Sequence, residues 1–420
     1  MQMDPQLRVW RWRIFTATWL SYFGYYFCRK PFYTAKSTLT EDLGWNPEML
    51  GYIGAVYLVA YAAGQFMAGL AGNRWGPRVV LLTGMAITLG VNAAFGITNS
   101  PWTFAALMGV NGLAQATGWS NNVGTMGSWF HRGERGTVMG FWATNFQVGS
   151  IIATPFAAWV LGEYGLRWSF FAGSIVMLGV WTYFVLNQRN RPEDVGLAPV
   201  VDPVPPHLPG DLEPKPVDEA HARRAFYVNV ALIGTFYFFA KLIRYALWSW
   251  APYLLDTHYG LSKTDAGYYS TIFDVTGFIG TIGAGFVADR LFRSRLAELS
   301  FLFMAAMALS CLLLFVMGTT SLTMFAICLG LIGFFLFGPD ALLTGAGAVN
   351  IGSKKHAALA AGLISGLGSL GPILQELVLP HFMGKEDVGA VFGILLGSSV
   401  LSLAALAWMV WRNRTGQAAV

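Results

Sequence analysis

Twelve apolar runs, each near the roughly 20 residues that a helix needs to cross a bilayer, constrain this chain more than any other feature. They fall at about 12 to 36, 48 to 72, 79 to 98, 102 to 129, 137 to 162, 167 to 188, 225 to 254, 265 to 289, 298 to 318, 322 to 350, 357 to 382 and 388 to 411. In hydrocarbon each backbone N–H and C=O must be paired within its own segment, so such runs fold as helices. The expected fold class is an all-α integral membrane protein of 12 transmembrane helices. Composition agrees, since 55% apolar and 12% charged residues across 420 are incompatible with a soluble protein of this size.

One long polar segment interrupts the pattern. Arg189 to Arg224 contains VVDPVPPHLPGDLEPKPVDE, whose proline and acid density cannot build a core, so it reads as an extended linker. The expected domains are therefore a six-helix half at 1–188, a linker at 189–224 and a second six-helix half at 225–420. Arg and Lys concentrate on one side of the predicted spans, at Arg8, Arg11, Arg13, Arg74, Arg78, Arg189, Arg191, Arg290, Arg412 and Arg414 among others. The positive-inside rule puts that side, with both termini and the linker, in the cytoplasm of a cell (inner) membrane protein. The net charge of +5 is spread over short loops rather than gathered on one surface, which argues against nucleic-acid binding. Cys28, Cys311 and Cys328 fall within predicted helices and form no disulfide or metal-binding pattern. The N-terminal MQMDPQLRVWRWR lacks the apolar core of a signal peptide and leads directly into the first span.

Inside the first span, YFGYYFCRKPFYTAK carries Arg29 and Lys30 side by side. A cation at that depth costs about 2.5 to 3.5 kcal/mol even on lenient insertion scales, so it marks a functional site by default. On a continuous helix Tyr22, Tyr25 or Tyr26, and Arg29 would share one stripe, with Lys30 about 100° round. A guanidinium fork among phenols suits a phosphate or carboxylate, and interhelical ion pairing is the plainer alternative, above all for Lys30. Arg244 in FYFFAKLIRYALWSWAPYL lies 215 residues further on, at the matching place of the second half. Two such arginines in two repeats are expected to face each other across the pseudo-two-fold axis as an anion clamp. Tyr237, Lys241, Arg244 and Trp248 share a helical face there.

The halves also repeat a loop, GLAGNRWGPR with Asn73, Arg74 and Arg78, and GFVADRLFR with Asp289 and Arg290. These segments resemble the signature loop of the major facilitator superfamily, where it acts as a cytoplasmic latch. Several further segments resemble the organophosphate:phosphate antiporters of that superfamily: YFGYYFCRKPF, Tyr61 in AYAAGQF, Trp119 in NGLAQATGWSNN, WFHRGERG, RPEDVGL, IRYALWSWAP and FGPDALL. The resemblance implies a major facilitator fold of two pseudo-symmetric halves; the six histidines show no ligand spacing and no phosphate loop or nucleophile–base constellation appears, so no enzyme activity and no cofactor are expected. The resemblance also implies a monomer in the lipid bilayer that exchanges a small phosphorylated metabolite for inorganic phosphate, with Arg29 and Arg244 holding the phosphate. The chain departs from the glycerol-3-phosphate permeases, with Phe146 where they have histidine and Gln65 where they have lysine. Lys241 replaces a frequent tyrosine, and RKP followed by Lys36 is closer to the sugar-phosphate exchangers.

Asp274 is an intramembrane acid that either pairs statically with Lys241, Lys30 or Arg244 or releases such a cation on binding and so couples binding to movement, whereas Asp340 and Glu376 either pair with a cation or bind a proton or a polar substrate group. Asp340 is expected just beyond a Gly338–Pro339 break. Asn121, Asn122, Asn145 and Gln147 either line the cavity, as Asn145 is expected to, or simply link helices. Besides exchange, two functions stay open: a proton-coupled organic-anion carrier, and a transporter-like sensor of a sugar phosphate.

Overall fold

A computed structural model describes residues 4–200, 219–290, 296–343, 357–383 and 388–415. Its helices are α1 (Pro5–Phe27), α2 (Lys30–Thr34), α3 (Lys36–Leu43), α4 (Pro47–Trp75), α5 (Pro77–Phe95), α6 (Pro101–Trp129), α7 (Arg132–Trp142), α8 (Thr144–Tyr164) and α9 (Leu166–Asn187). After a single turn at Pro192–Val195 come α10 (Glu219–Thr257), α11 (Lys263–Arg290), α12 (Leu296–Met317), α13 (Leu322–Leu342), α14 (Ala357–Val378), α15 (Pro380–Met383) and α16 (Gly389–Arg414). The chain forms two compact units, Met1–His207 with Ser262–Tyr268, and Leu208–Leu261 with Tyr269–Val420.

Local sequence sets the helix starts. Asp4, Asn46 and Ser100 each precede a proline, and each side chain accepts a backbone N–H of the first turn, from Gln6, Met49 and Thr103. Proline at that position forfeits no helical bond, and the cap satisfies one of the orphan donors. Among the described residues nine helices are long and apolar enough to cross a membrane. The predicted spans at 12 to 36, 102 to 129 and 137 to 162 are not among them. Their helices carry the polar side chains turned into the interior of the first unit, including Arg11, Arg29, Asn111, Gln115, Asn121, Asn122, Asn145 and Gln147, all buried.

Small residues decide how closely these helices pack. A Cβ on Gly112 of α6 would meet the Tyr57 carbonyl of α4, and one on Gly64 would meet Ala116 at 2.8 Å, so α4 and α6 lie in near backbone contact. The second unit repeats the device: Gly368 of α14 lies under the Tyr237 ring of α10, and Gly371 meets the Phe238 carbonyl.

Four expectations need correction. The first span is not one helix, because α1 ends at Phe27 and the chain restarts as α2 at Lys30. Pro31 has no N–H for the Phe27 carbonyl, and its ring would collide with that carbonyl in a continuing helix. Cys28 and Arg29 instead donate their N–H groups three residues back, to Tyr25 at 3.2 Å and Tyr26 at 3.1 Å. Cys28 thus sits at the break rather than within a helix, with its thiol 3.5 Å from the Gly173 carbonyl of α9. The fifth span also divides, at Ala143, where Thr144 and Asn145 side chains bond back to the Phe141 and Trp142 carbonyls and compete with the helix ladder. The reverse holds at Pro339, where α13 continues to Leu342 with no break. Finally, the start of the polar segment is folded. The Trp129 indole donates to the Arg189 carbonyl at 3.1 Å, Arg78 N–H to Asn190 Oδ1 at 2.8 Å, and Asn190 N–H to Asp194 at 2.9 Å.

Candidate functional site

In the first unit the break between α1 and α2 delivers Arg29 to the interior, 8% exposed, where Tyr26 of α1, Tyr57 and Tyr61 of α4 and Gln115 of α6 meet it. Its guanidinium carbon lies 4.9 Å from the Tyr26 ring, 5.6 Å from Tyr57 and 5.2 Å from Tyr61. Rings at these distances stabilise a desolvated cation through their negative faces, but they do not neutralise it. Arg29 Nε donates to Gln115 Oε1 at 2.8 Å, and the Tyr57 hydroxyl donates to the same oxygen at 2.9 Å. Gln115 Nε2 in turn donates to Asn111 Oδ1 at 3.2 Å, which fixes the amide's orientation. The close approach of α4 and α6 at Gly112 is what brings Tyr57 and Gln115 together. Among the described residues Arg29 has no carboxylate partner, and its buried Nη2 has no hydrogen-bond partner.

The other predicted residues of this unit divide in their placement. Tyr22 shares a hydrogen bond with Tyr61 at 3.2 Å and packs its ring 5.4 Å from that of Trp119, which is 38% exposed. Tyr25 is fully buried, with its hydroxyl 3.1 Å from Thr117 and its ring against Gly118, so it serves the α1–α6 contact. Lys30 is buried at the start of α2, and the buried Lys36 ammonium lies 5.2 Å from the Tyr33 ring centre. Asn145 is fully buried and its amide donates to the Trp142 carbonyl at 2.7 Å, which anchors the α7–α8 break. Asn121 and Asn122 link helices, to the Ala68 carbonyl at 3.2 Å and to Ser21 at 2.8 Å. Gln115 and Tyr57 were not anticipated. The signal for Gln115 was its place four residues after Asn111, two amides on one face of a membrane helix.

In the second unit Arg244 of α10 forms an ion pair with Asp340 of α13, Nη1 to Oδ2 at 2.6 Å, and lies 4.2 Å from the Phe337 ring centre. One turn earlier the Lys241 ammonium sits 4.4 Å from the Tyr237 ring. Glu376 of α14 is buried and accepts a hydrogen bond from the Ser249 hydroxyl of α10. Asp274 of α11 is buried as well. In the first signature loop Arg74 and Arg78 separate. Arg74 lies 5.6 Å from the Trp75 ring, while Arg78 Nη2 donates to the Val185 carbonyl of α9 at 2.5 Å. Asn73 is exposed near the end of α4; Asp289 and Arg290 end α11, and their side chains lie outside the described residues.

A buried arginine at the break of the first helix of one unit, and a part-buried, ion-paired arginine in the other, are the construction of a membrane carrier. The chain belongs to the major facilitator superfamily, whose family model matches residues 15–375. It is 29% identical to the glycerol-3-phosphate transporter of Bacillus subtilis, over 98% of this chain and 95% of that one. It is 27% identical to the membrane sensor protein UhpC of Salmonella typhimurium, covering 96% and 92%, and 29% identical to the mouse glucose-6-phosphate exchanger SLC37A2, covering 95% and 92%. These relatives place it in the organophosphate:phosphate antiporter branch.

Proposed function

We propose that the chain is a secondary active transporter that exchanges an organophosphate, a sugar phosphate or a glycerol-phosphate-like ester, for inorganic phosphate by alternating access. The observation that carries this reading is Arg29, a buried guanidinium oriented by Gln115, ringed by tyrosines and without a carboxylate partner among the described residues. Such a group is a prepared anion receptor, and the planar fork matches two phosphate oxygens at once. Arg244 is the second phosphate-binding arginine, and Asp340 is the counter-ion that phosphate must compete with. Lys30, Lys241, Tyr22, Tyr26, Tyr61 and Trp119 contribute to recognition. Asp274 and Glu376 are the remaining acids through which binding couples to movement. Tyr25 and Asn145 are left with packing roles. The six-helix halves at 1–188 and 225–420 are the moving bodies, and the chain works as a monomer.

Counterflow tests the reading. In proteoliposomes loaded with inorganic phosphate, uptake of a labelled phosphate ester is expected to exceed uptake into empty vesicles several-fold. Equal uptake into both, with dependence on a proton gradient, would favour the organic-anion carrier. Ester binding with no uptake under either condition would favour a sensor, the role named for the Salmonella relative.

The basic side of the spans is read as cytoplasmic, with both termini and the linker on it. A cysteine placed in the 200–215 segment is therefore expected to resist an impermeant thiol reagent added to intact cells and to react after lysis. Labelling of intact cells would reverse the orientation.

A further inference from the structure

We propose that a cavity of the first unit, outside the site above, binds an anionic phospholipid of the leaflet that faces the basic end of α1. The cavity measures about 680 Å³ and lies between α1 and α7. From α1 it is lined by Arg8, Arg11, Trp12 and Phe15, which recur at helical spacing on one face, and from α7 by Glu134 and Phe141.

The two helices run parallel here, because Arg11 pairs with Glu134 at 2.9 Å, the Trp142 indole donates to Thr18 at 3.1 Å, and the Trp19 indole donates to Thr144 at 3.2 Å. The cavity therefore has a polarity. Its Arg8, Arg11 and Glu134 end carries charge, and its Phe15 and Phe141 end is apolar. Arg11 is held by Glu134, which leaves Arg8, exposed at the rim, as the cation available to a ligand among the described lining residues.

The ligand must match this gradient with an anionic group at one end and hydrocarbon at the other. Trp12 is 63% exposed and Phe141 69% exposed, so the apolar wall of the cavity is uncovered among the described residues. A free phosphate ester satisfies only the charged end. Phosphatidylcholine offers a phosphate already balanced by its own choline, whereas phosphatidylglycerol leaves it to the protein. The proposal concerns bound lipid and stands independently of the transport reading.

Delipidated full-length protein titrated with phosphatidylglycerol and with phosphatidylcholine of identical acyl chains, and read by native mass spectrometry, tests it. Phosphatidylglycerol is expected to be retained preferentially. Arg8→Gln should reduce that preference about fivefold, the worth of one basic group near an anionic lipid surface. Trp12→Ala and Phe141→Ala should weaken both lipids alike, and Arg414→Gln, an exposed arginine of the second unit, should change neither. Equal retention of the two lipids would overturn the proposal, as would an unchanged preference in Arg8→Gln. So would displacement of bound phosphatidylglycerol by inorganic phosphate, which would mark a soluble-anion site instead.

Discussion

Arg29→Lys is expected to weaken phosphate-ester binding by about 1.5–3 kcal/mol, roughly 10- to 150-fold, the worth of a hydrogen bond to a charged group. Lysine keeps the charge, so a purely electrostatic attraction would survive the change. It loses the planar fork, and with it both the bond to Gln115 and the paired N–H groups that meet two phosphate oxygens. Gln115→Leu separates charge from orientation, because Arg29 then stays cationic but without its anchor, and the Tyr57 hydroxyl loses its acceptor. Ester affinity in that variant should fall between wild type and Arg29→Lys, and Gln115→Glu should weaken binding as well by giving Arg29 the carboxylate it lacks. The measurement is ester affinity from thermal shift or counterflow on all four proteins. Wild-type affinity in Arg29→Lys would remove this arginine from the site.

Much of this arrangement is legible in the sequence, for reasons particular to membranes. An apolar run of about 20 residues has few foldings open to it in hydrocarbon, so nine of the helices follow from hydropathy among the described residues, while the polar interior positions of α1, α6 and α8 weaken that signal. Arg29 stands out because a cation is costly in such a run. What hydropathy does not register is the break beside it. Lys30–Pro31 lies in a stretch that stays apolar through Tyr33, and only the missing N–H of Pro31 ends α1 at Phe27. The Tyr22, Tyr26 and Arg29 version of the expected stripe survives the break, with Tyr26 under the guanidinium, while Tyr25, about 100° round on α1, faces Thr117. Gly338–Pro339 shows the opposite error, a proline that α13 absorbs in its final turn. Gln115 escaped notice because an amide in a membrane helix usually joins helices, as Asn121 and Asn122 do here. Its distinguishing feature, a shared acceptor for Arg29 and Tyr57, depends on how closely α4 approaches α6 at Gly112, which composition does not encode. The partner of Arg244 lies 96 residues away: the sequence points to Asp274 as the acid for Arg244, and the packing of α10 on α13 supplies Asp340 instead.

That pair sets the second large effect. Asp340→Asn removes a carboxylate from a guanidinium in a part-buried ion pair, with side-chain exposures of 19% and 11%. Losing one partner of a buried pair costs about 3–5 kcal/mol, and the residual exposure of Arg244 places this case at the low end. Ligand-free Asp340→Asn protein should therefore melt well below wild type. If phosphate takes the place of Asp340 on Arg244, the same variant should bind phosphate more tightly, and saturating phosphate should raise its melting temperature more than it raises that of wild type. The double variant Arg244→Gln with Asp340→Asn separates the two contributions, because it leaves a neutral pair in place of an uncompensated cation. Its ligand-free stability should recover most of the loss, while its phosphate-induced shift should disappear. A phosphate shift in Asp340→Asn no larger than that of wild type would make the pair a structural link and remove Asp340 from competition with substrate. A full shift in the double variant would show that Arg244 does not hold phosphate.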